Sequence, residues 1–143
     1  MLNQSLWNSK KRRHLRFIAI QIIILNRYTM TKIAPSLLAA DFLQLDKAVD
    51  IVNNYADIFN LDVMDGVFVP NISFGFPVIE AVAKKAEKPM DVHLMIVEPE
   101  KYAERFAKVG ASMISFHLNA TEDPAGLLQS IRSWGVKSGL VIN

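Results

Sequence analysis

From Lys32 onward the chain repeats one pattern about every 25 residues: a short apolar run, a turn, then apolar residues at helical spacing. Strands are expected over residues 32–38, 58–64, 90–95, 113–118 and 136–143. Helices are expected over 41–55, 77–86, 99–109 and 124–134. The punctuation agrees with these bounds. Asp41 is a plausible N-cap, Pro77, Pro99 and Pro124 each sit where a helix opens, and Gly110 and Gly135 follow helix ends. Strands alternating with helices imply a parallel sheet with right-handed crossovers. The expected fold is therefore α/β, a partial (β/α)8 TIM barrel of four βα units plus a fifth strand. A closed barrel needs eight units and about 200 residues or more, so residues 30–143 amount to half of one. A small open α/β sheet is the alternative. No G-x-G-x-x-G follows the first strand, which argues against a dinucleotide-binding version.

Charge separates the first 30 residues from the rest. They hold Lys10, Lys11, Arg12, Arg13, Arg16 and Arg27 and no acid, out of 16 basic and 14 acidic residues in the chain. The remainder is thus mildly acidic, and nucleic acid is not an expected partner. The apolar run Phe17 to Leu25, broken only by Gln21, is too short for a spanning helix, which takes about 20 residues. No small-residue cleavage site follows it. Residues 1–29 read as an extension outside the fold, with Met30 as the natural start of the domain; a membrane-associating or targeting segment is the competing reading. There is no cysteine, so any metal would be held by His, Asp, Glu or Asn.

The polar residues inside the apolar runs are the candidates for chemistry. Strand side chains alternate faces. Asn60, Asp62 and Met64 therefore share a face, as do Asp91, His93 and Met95, and Ser115, His117 and Asn119. A carboxylate inside a buried strand is costly unless something pairs with it. Asp62 alone reads equally as a structural Asp beside the Asp65-Gly66 turn. In parallel α/β folds, however, reactive groups gather at the C-terminal ends of strands. Neighbouring strands lie about 4.8 Å apart, so Asp62 and His93 could share one divalent cation. Imidazole with carboxylate suits Zn, Fe, Mn or Co rather than Ca. Asp91 and His117 fit either a supporting or a plain structural role, and His117 is read as structural. Met64 and Met95 read as core filler or as an aprotic lining for the same face.

These residues carry a resemblance. Ile33-Ala34-Pro35-Ser36-Leu37-Leu38-Ala39-Ala40-Asp41-Phe42, Leu61-Asp62-Val63-Met64-Asp65-Gly66, Val69-Pro70-Asn71-Ile72, Phe74-Gly75, Asp91-Val92-His93-Leu94-Met95 and Phe116-His117-Leu118 together resemble the ribulose-phosphate 3-epimerase family. The resemblance runs from Lys32 to Asn143 and covers the first half of that family's barrel. It implies an isomerase of the pentose phosphate pathway, cytoplasmic, which moves a proton at C3 of a pentulose 5-phosphate (D-ribulose 5-phosphate to D-xylulose 5-phosphate). The roles it implies are Asp62 as catalytic acid/base and metal ligand, His93 as metal ligand and substrate contact, Ser36 as a substrate hydrogen-bonding group, and Met64 and Met95 as substrate lining. It implies a divalent metal (Zn, Fe, Mn or Co), a phosphorylated ketopentose as partner, no membrane, and allows a homo-oligomer.

Two departures stand against it. Asn60 occupies the position where the family carries a further metal-binding His. The family's second acid/base Asp and its phosphate loops belong to later strands. Three alternatives follow: an inactive truncated fragment, a half-barrel needing a partner, and an epimerase of a phosphorylated hexulose. A related barrel decarboxylase would carry Asp-x-Lys-x-x-Asp in the second strand, but Met64 stands where that Lys belongs.

Overall fold

The computed structural model describes residues 31–142. The expected extension over residues 1–29 lies outside the described residues. Four strands, β1 (Phe59–Met64), β2 (Met90–Met95), β3 (Met113–His117) and β4 (Lys137–Val141), form one sheet in the order β1-β2-β3-β4. All three pairings are parallel. The helices are α1 (Leu45–Tyr55), α2 (Phe76–Ala83), α3 (Ala103–Val109) and α4 (Pro124–Ser133). This is the alternation of a (β/α) barrel, and the expected α/β class holds.

One face of the sheet makes the core. Phe59, Leu61, Val92, Leu94, Ile114 and Phe116 are fully buried there. The helices answer with buried residues three or four apart: Val49 and Val52, Ile79 and Val82, Ala103 and Phe106, Leu127 and Ile131. That spacing places each pair on one helical stripe. Helix ends follow the sequence signals. Pro77 and Pro124 occupy the first turns of α2 and α4, the Asp123 side chain accepts the Gly126 N–H at 2.9 Å, and Gly110 closes α3 at φ 110°.

The first expected strand, 32–38, is reduced to a single parallel bridge between Ser36 and Asn60. The reason is local. The carbonyls of Ile33 and Pro35 accept from Asp57, Ile58 and Asn60, but Pro35 has no N–H to give to a ladder. The Ser36 hydroxyl then accepts the Leu38 N–H at 3.3 Å and turns the chain into a 3-10 turn, Leu37–Ala39. Asp41 does cap, accepting the Leu43 N–H at 3.0 Å, yet it starts a second 3-10 turn, Phe42–Gln44, and α1 begins only at Leu45. The helix expected from Pro99 likewise opens as a 3-10 turn, Pro99–Lys101, before α3.

Candidate functional site

The second face of β1, β2 and β3 carries the polar side chains. The register sets Asn60 beside Asp91, Asp62 beside His93, and Met64 beside Met95. It then sets His93 beside Ser115. Two steps along β3 from Ser115, His117 ends the strand on the same face.

Asp62 is the hub. Its Oδ2 accepts from Ser36 Oγ at 2.5 Å and from Asn60 Nδ2 at 3.0 Å. Its Oδ1 faces His93 Nδ1 at 3.3 Å. The Asp62 and His93 side chains are only 14% and 24% exposed, so both are partly desolvated. On the far side of the His93 ring, Nε2 lies 3.1 Å from His117 Nε2. Ser36, Asn60, Asp62, His93 and His117 thus form one connected row across the sheet. Asn60 turns its amide nitrogen, not its oxygen, toward Asp62 and so braces the carboxylate.

The loop after β1 is tied back to that strand. Ser73 Oγ donates to the Asp62 carbonyl at 2.6 Å and accepts the Met64 N–H at 2.9 Å. Asp65 and Ile72 form an antiparallel bridge that closes the loop on itself. Gly66 lies inside it at φ 75°, where an added Cβ would come 2.8 Å from the Ile72 side chain, so any side chain there is strained and crowds Ile72. The Asp65 carboxylate accepts the N–H groups of Val67 and Phe68 in its own loop and of Val97 beyond β2, at 2.8–2.9 Å. Burial works against its charge, but the N–H groups of Val97, Phe68 and Val67 outweigh it and hold the carboxyl below the ordinary value. Phe68 ends up against the His117 ring, centres 4.9 Å apart.

Asp91 is different. Burial pushes its carboxyl above the ordinary carboxylate range, with His93 opposing and Asp62 adding to the rise. Its Oδ1 is buried with no hydrogen-bond partner among the described residues. A cavity of about 350 Å³ opens beside the β1 and β2 loops, lined by Met64, Asp65, Phe74, Val97 and Tyr102 among others. None of Ser36, Asp62 or His93 reaches it, so it is separate from the polar row.

A cation can be tested against this geometry. Two ligands each about 2.1 Å from one ion, at angles between square and tetrahedral, are about 3.0–3.4 Å apart. Asp62 Oδ1 and His93 Nδ1, 3.3 Å apart, match that separation. The described residues contain no group of three or more His, Asp or Glu that could hold a metal. Among the described residues the pair offers two such donors.

Ser36, Asp62 and His93, all singled out in the sequence, are brought together in the structure. Met64 and Met95 stand side by side at the strand ends on the same face. His117, expected to be structural, touches His93 directly. Ser73 and Phe68 were not anticipated; the available signal was Phe68, an aromatic set between Gly66 and Pro70.

Residues 32–143 match the model of the ribulose-phosphate 3 epimerase family. A ribulose-phosphate 3-epimerase of Bacillus subtilis (strain 168) is 46% identical over 115 residues, covering 80% of this chain and 53% of the relative. One from Synechocystis sp. is 48% identical over 114 residues, covering 78% and 50%. The chain thus spans about half the length of the curated relatives it matches. Among solved structures, orotidine 5'-monophosphate decarboxylase from Methanocaldococcus jannaschii, complexed with inhibitor BMP, superposes with a TM-score of 0.56. The match is 21% identical and covers 78% of this chain and 51% of that one, a likeness of fold alone. With the motif residues on one sheet face and the family model matched from Lys32 onward, this chain belongs to the ribulose-phosphate 3-epimerase family.

Proposed function

We propose that residues 30–143 supply the N-terminal half of a (β/α) barrel that epimerises a pentulose 5-phosphate at C3, in the direction D-ribulose 5-phosphate to D-xylulose 5-phosphate or its reverse. The observation that carries this reading is the Asp62–His93 pair, held from behind by Ser36 and Asn60. Asp62 takes the proton from C3, and the electron pair of that C–H bond moves into the C2 carbonyl to give an enediolate. A proton then returns to C3 from the opposite face, and the C2 carbonyl re-forms. One base returning its own proton would restore the starting centre, so inversion needs a second acid across the substrate. On the family resemblance that acid sits on a later strand.

Ser36 and Asn60 occupy Oδ2, which orients the carboxylate and leaves Oδ1 facing His93 Nδ1. On the family resemblance Ser36 Oγ would contact a substrate hydroxyl, and Met64 and Met95 would offer a surface with no exchangeable proton. Asp62 and His93 would hold a divalent cation (Zn, Fe, Mn or Co), which when bound supplies Lewis-acid stabilisation of negative charge on substrate oxygen. The cytoplasm is the compartment this reading carries, on family grounds. Among the described residues no helix is long and apolar enough to cross a membrane.

A second reading has its own support, since the polar row offers one acid/base carboxylate in position rather than two. A half-barrel of this kind binds substrate and completes its site with a partner, a second copy included. Ribulose 5-phosphate in D2O, with Zn²⁺ or Fe²⁺, separates the two readings. Full epimerisation supports a complete enzyme. Exchange of the C3 hydrogen for deuterium without xylulose 5-phosphate supports the half-site. Neither exchange nor turnover overturns the assignment of Asp62 as the base.

A further inference from the structure

We propose that His117 is a positioning residue: it accepts the Nε2–H of His93 and so leaves His93 Nδ1 unprotonated and aimed at Asp62 Oδ1, in the state that ligates a cation. This rests on the cation reading of the Asp62–His93 pair.

The geometry of the two rings carries the inference. Their planes are 19° apart and their centres 5.2 Å apart, while the nearest nitrogens are 3.1 Å apart. The centres are farther apart than the nitrogens by 2.1 Å, so the rings meet edge to edge and nearly in one plane rather than face over face. An N–H···N hydrogen bond lies in the plane of both rings, and this arrangement satisfies it. A neutral imidazole has one N–H and one lone pair. The space between the two Nε2 atoms takes one proton, so one ring donates and the other accepts.

The Asp62 side selects which. A cation between Asp62 Oδ1 and His93 Nδ1 requires the lone pair of Nδ1. The His93 proton then sits on Nε2 and His117 must accept it. Metal-binding histidines commonly donate their second N–H to a group that fixes the tautomer. Here an imidazole fills that place. The 3.3 Å between His93 Nδ1 and Asp62 Oδ1 is long for a direct charge-assisted hydrogen bond, about 2.7–2.9 Å, but suits two ligands of one ion.

His117 is built to hold its orientation. It is 8% exposed, the one polar residue in the buried set among the described residues, and Phe68 packs on its ring from the β1 loop. A residue wanted only as filler between Phe68 and the sheet would not need a nitrogen aimed at His93 Nε2.

The test is Zn²⁺ binding to the protein by calorimetry, together with ¹H–¹⁵N long-range correlation spectra of the zinc-bound imidazoles. In the wild-type protein the His93 proton is expected on Nε2. His117→Phe, folded by circular dichroism, is expected to lower Zn²⁺ affinity by about 10- to 100-fold. His117→Gln, whose side-chain oxygen accepts the same N–H, recovers most of that loss. The inference is overturned by wild-type affinity in a folded His117→Phe protein, by a zinc-bound His93 that carries its proton on Nδ1, or by a folded Gln variant no better than Phe. If His117→Phe does not fold, the wild-type spectrum decides alone. A wild-type protein that takes up no Zn²⁺ overturns the cation reading itself, and this one with it.

Discussion

The two faces of one sheet answer to different physics. The helix-facing side carries Phe59, Leu61, Val92, Leu94, Ile114 and Phe116, all out of water. The other side, from the same strands, carries Asn60, Asp62, Asp91, His93 and His117, most of them half-buried. Alternation along each strand writes both faces into adjacent residues. The difference lies in what each residue does when removed. On the helix-facing side a side chain matters by its volume, and neighbours share the loss. On the polar side it matters by one atom at one distance, such as Asp62 Oδ1 or His93 Nε2.

The sharpest way to break that comparison is Asp62→Asn. C3 proton exchange in D2O is expected to fall by about 10²- to 10⁴-fold, the size of a lost general base. The thermal midpoint should shift by only a few degrees. A large drop in midpoint would make Asp62 a structural residue and dissolve the contrast. Next comes its mirror image one residue away. Leu61→Ala removes a fully buried side chain and is expected to cost about 2–5 kcal/mol of stability by denaturant unfolding. The fraction still folded should bind Zn²⁺ as the wild type does. A variant that keeps its stability would show that the core under β1 can collapse around the gap.

Asn60→His sharpens the comparison from the gain side. It places imidazole on the polar face two residues before Asp62, and Zn²⁺ affinity is expected to rise by about 10- to 100-fold. No gain in calorimetry would mean that Asn60 serves only as the brace on Asp62 Oδ2. The smallest effect concerns the loop that joins the two strand ends. The Asp65 carboxyl lies below its unfolded value of 3.8. Its contribution to stability is therefore fully present above that value and is lost as pH falls through the folded one. Acid unfolding of Asp65→Asn should show a shallower loss of stability below pH 3.8 than the wild type. Identical acid limbs would show that Asp65 holds its loop without any use of its charge.

Much of the fold is legible in the sequence. The strand over 90–95 appears with both ends as read, and that over 58–64 begins one residue later. Apolar alternation and Pro and Gly punctuation are local signals, and local signals set elements. The pairing of Asp62 with His93 followed because neighbouring parallel strands bring equivalent positions together. The first strand was misjudged because its apolar residues hid the missing donor at Pro35 and the cap at Ser36. The contact between His117 and His93 is not legible in the sequence for a different reason. It depends on ring orientation across two strands and on a loop that returns from elsewhere, and neither leaves a periodic trace.

The Phe68 contact carries a consequence for evolution and engineering of the loop. The segment that leaves β1 at Asp65 takes the Val97 N–H just beyond β2 and rests Phe68 on the last residue of β3. Its length is therefore a measured span, not slack between elements. Adding or deleting one residue between Gly66 and Ile72 would shift the phenyl ring off the imidazole of His117, two strands away from the edit.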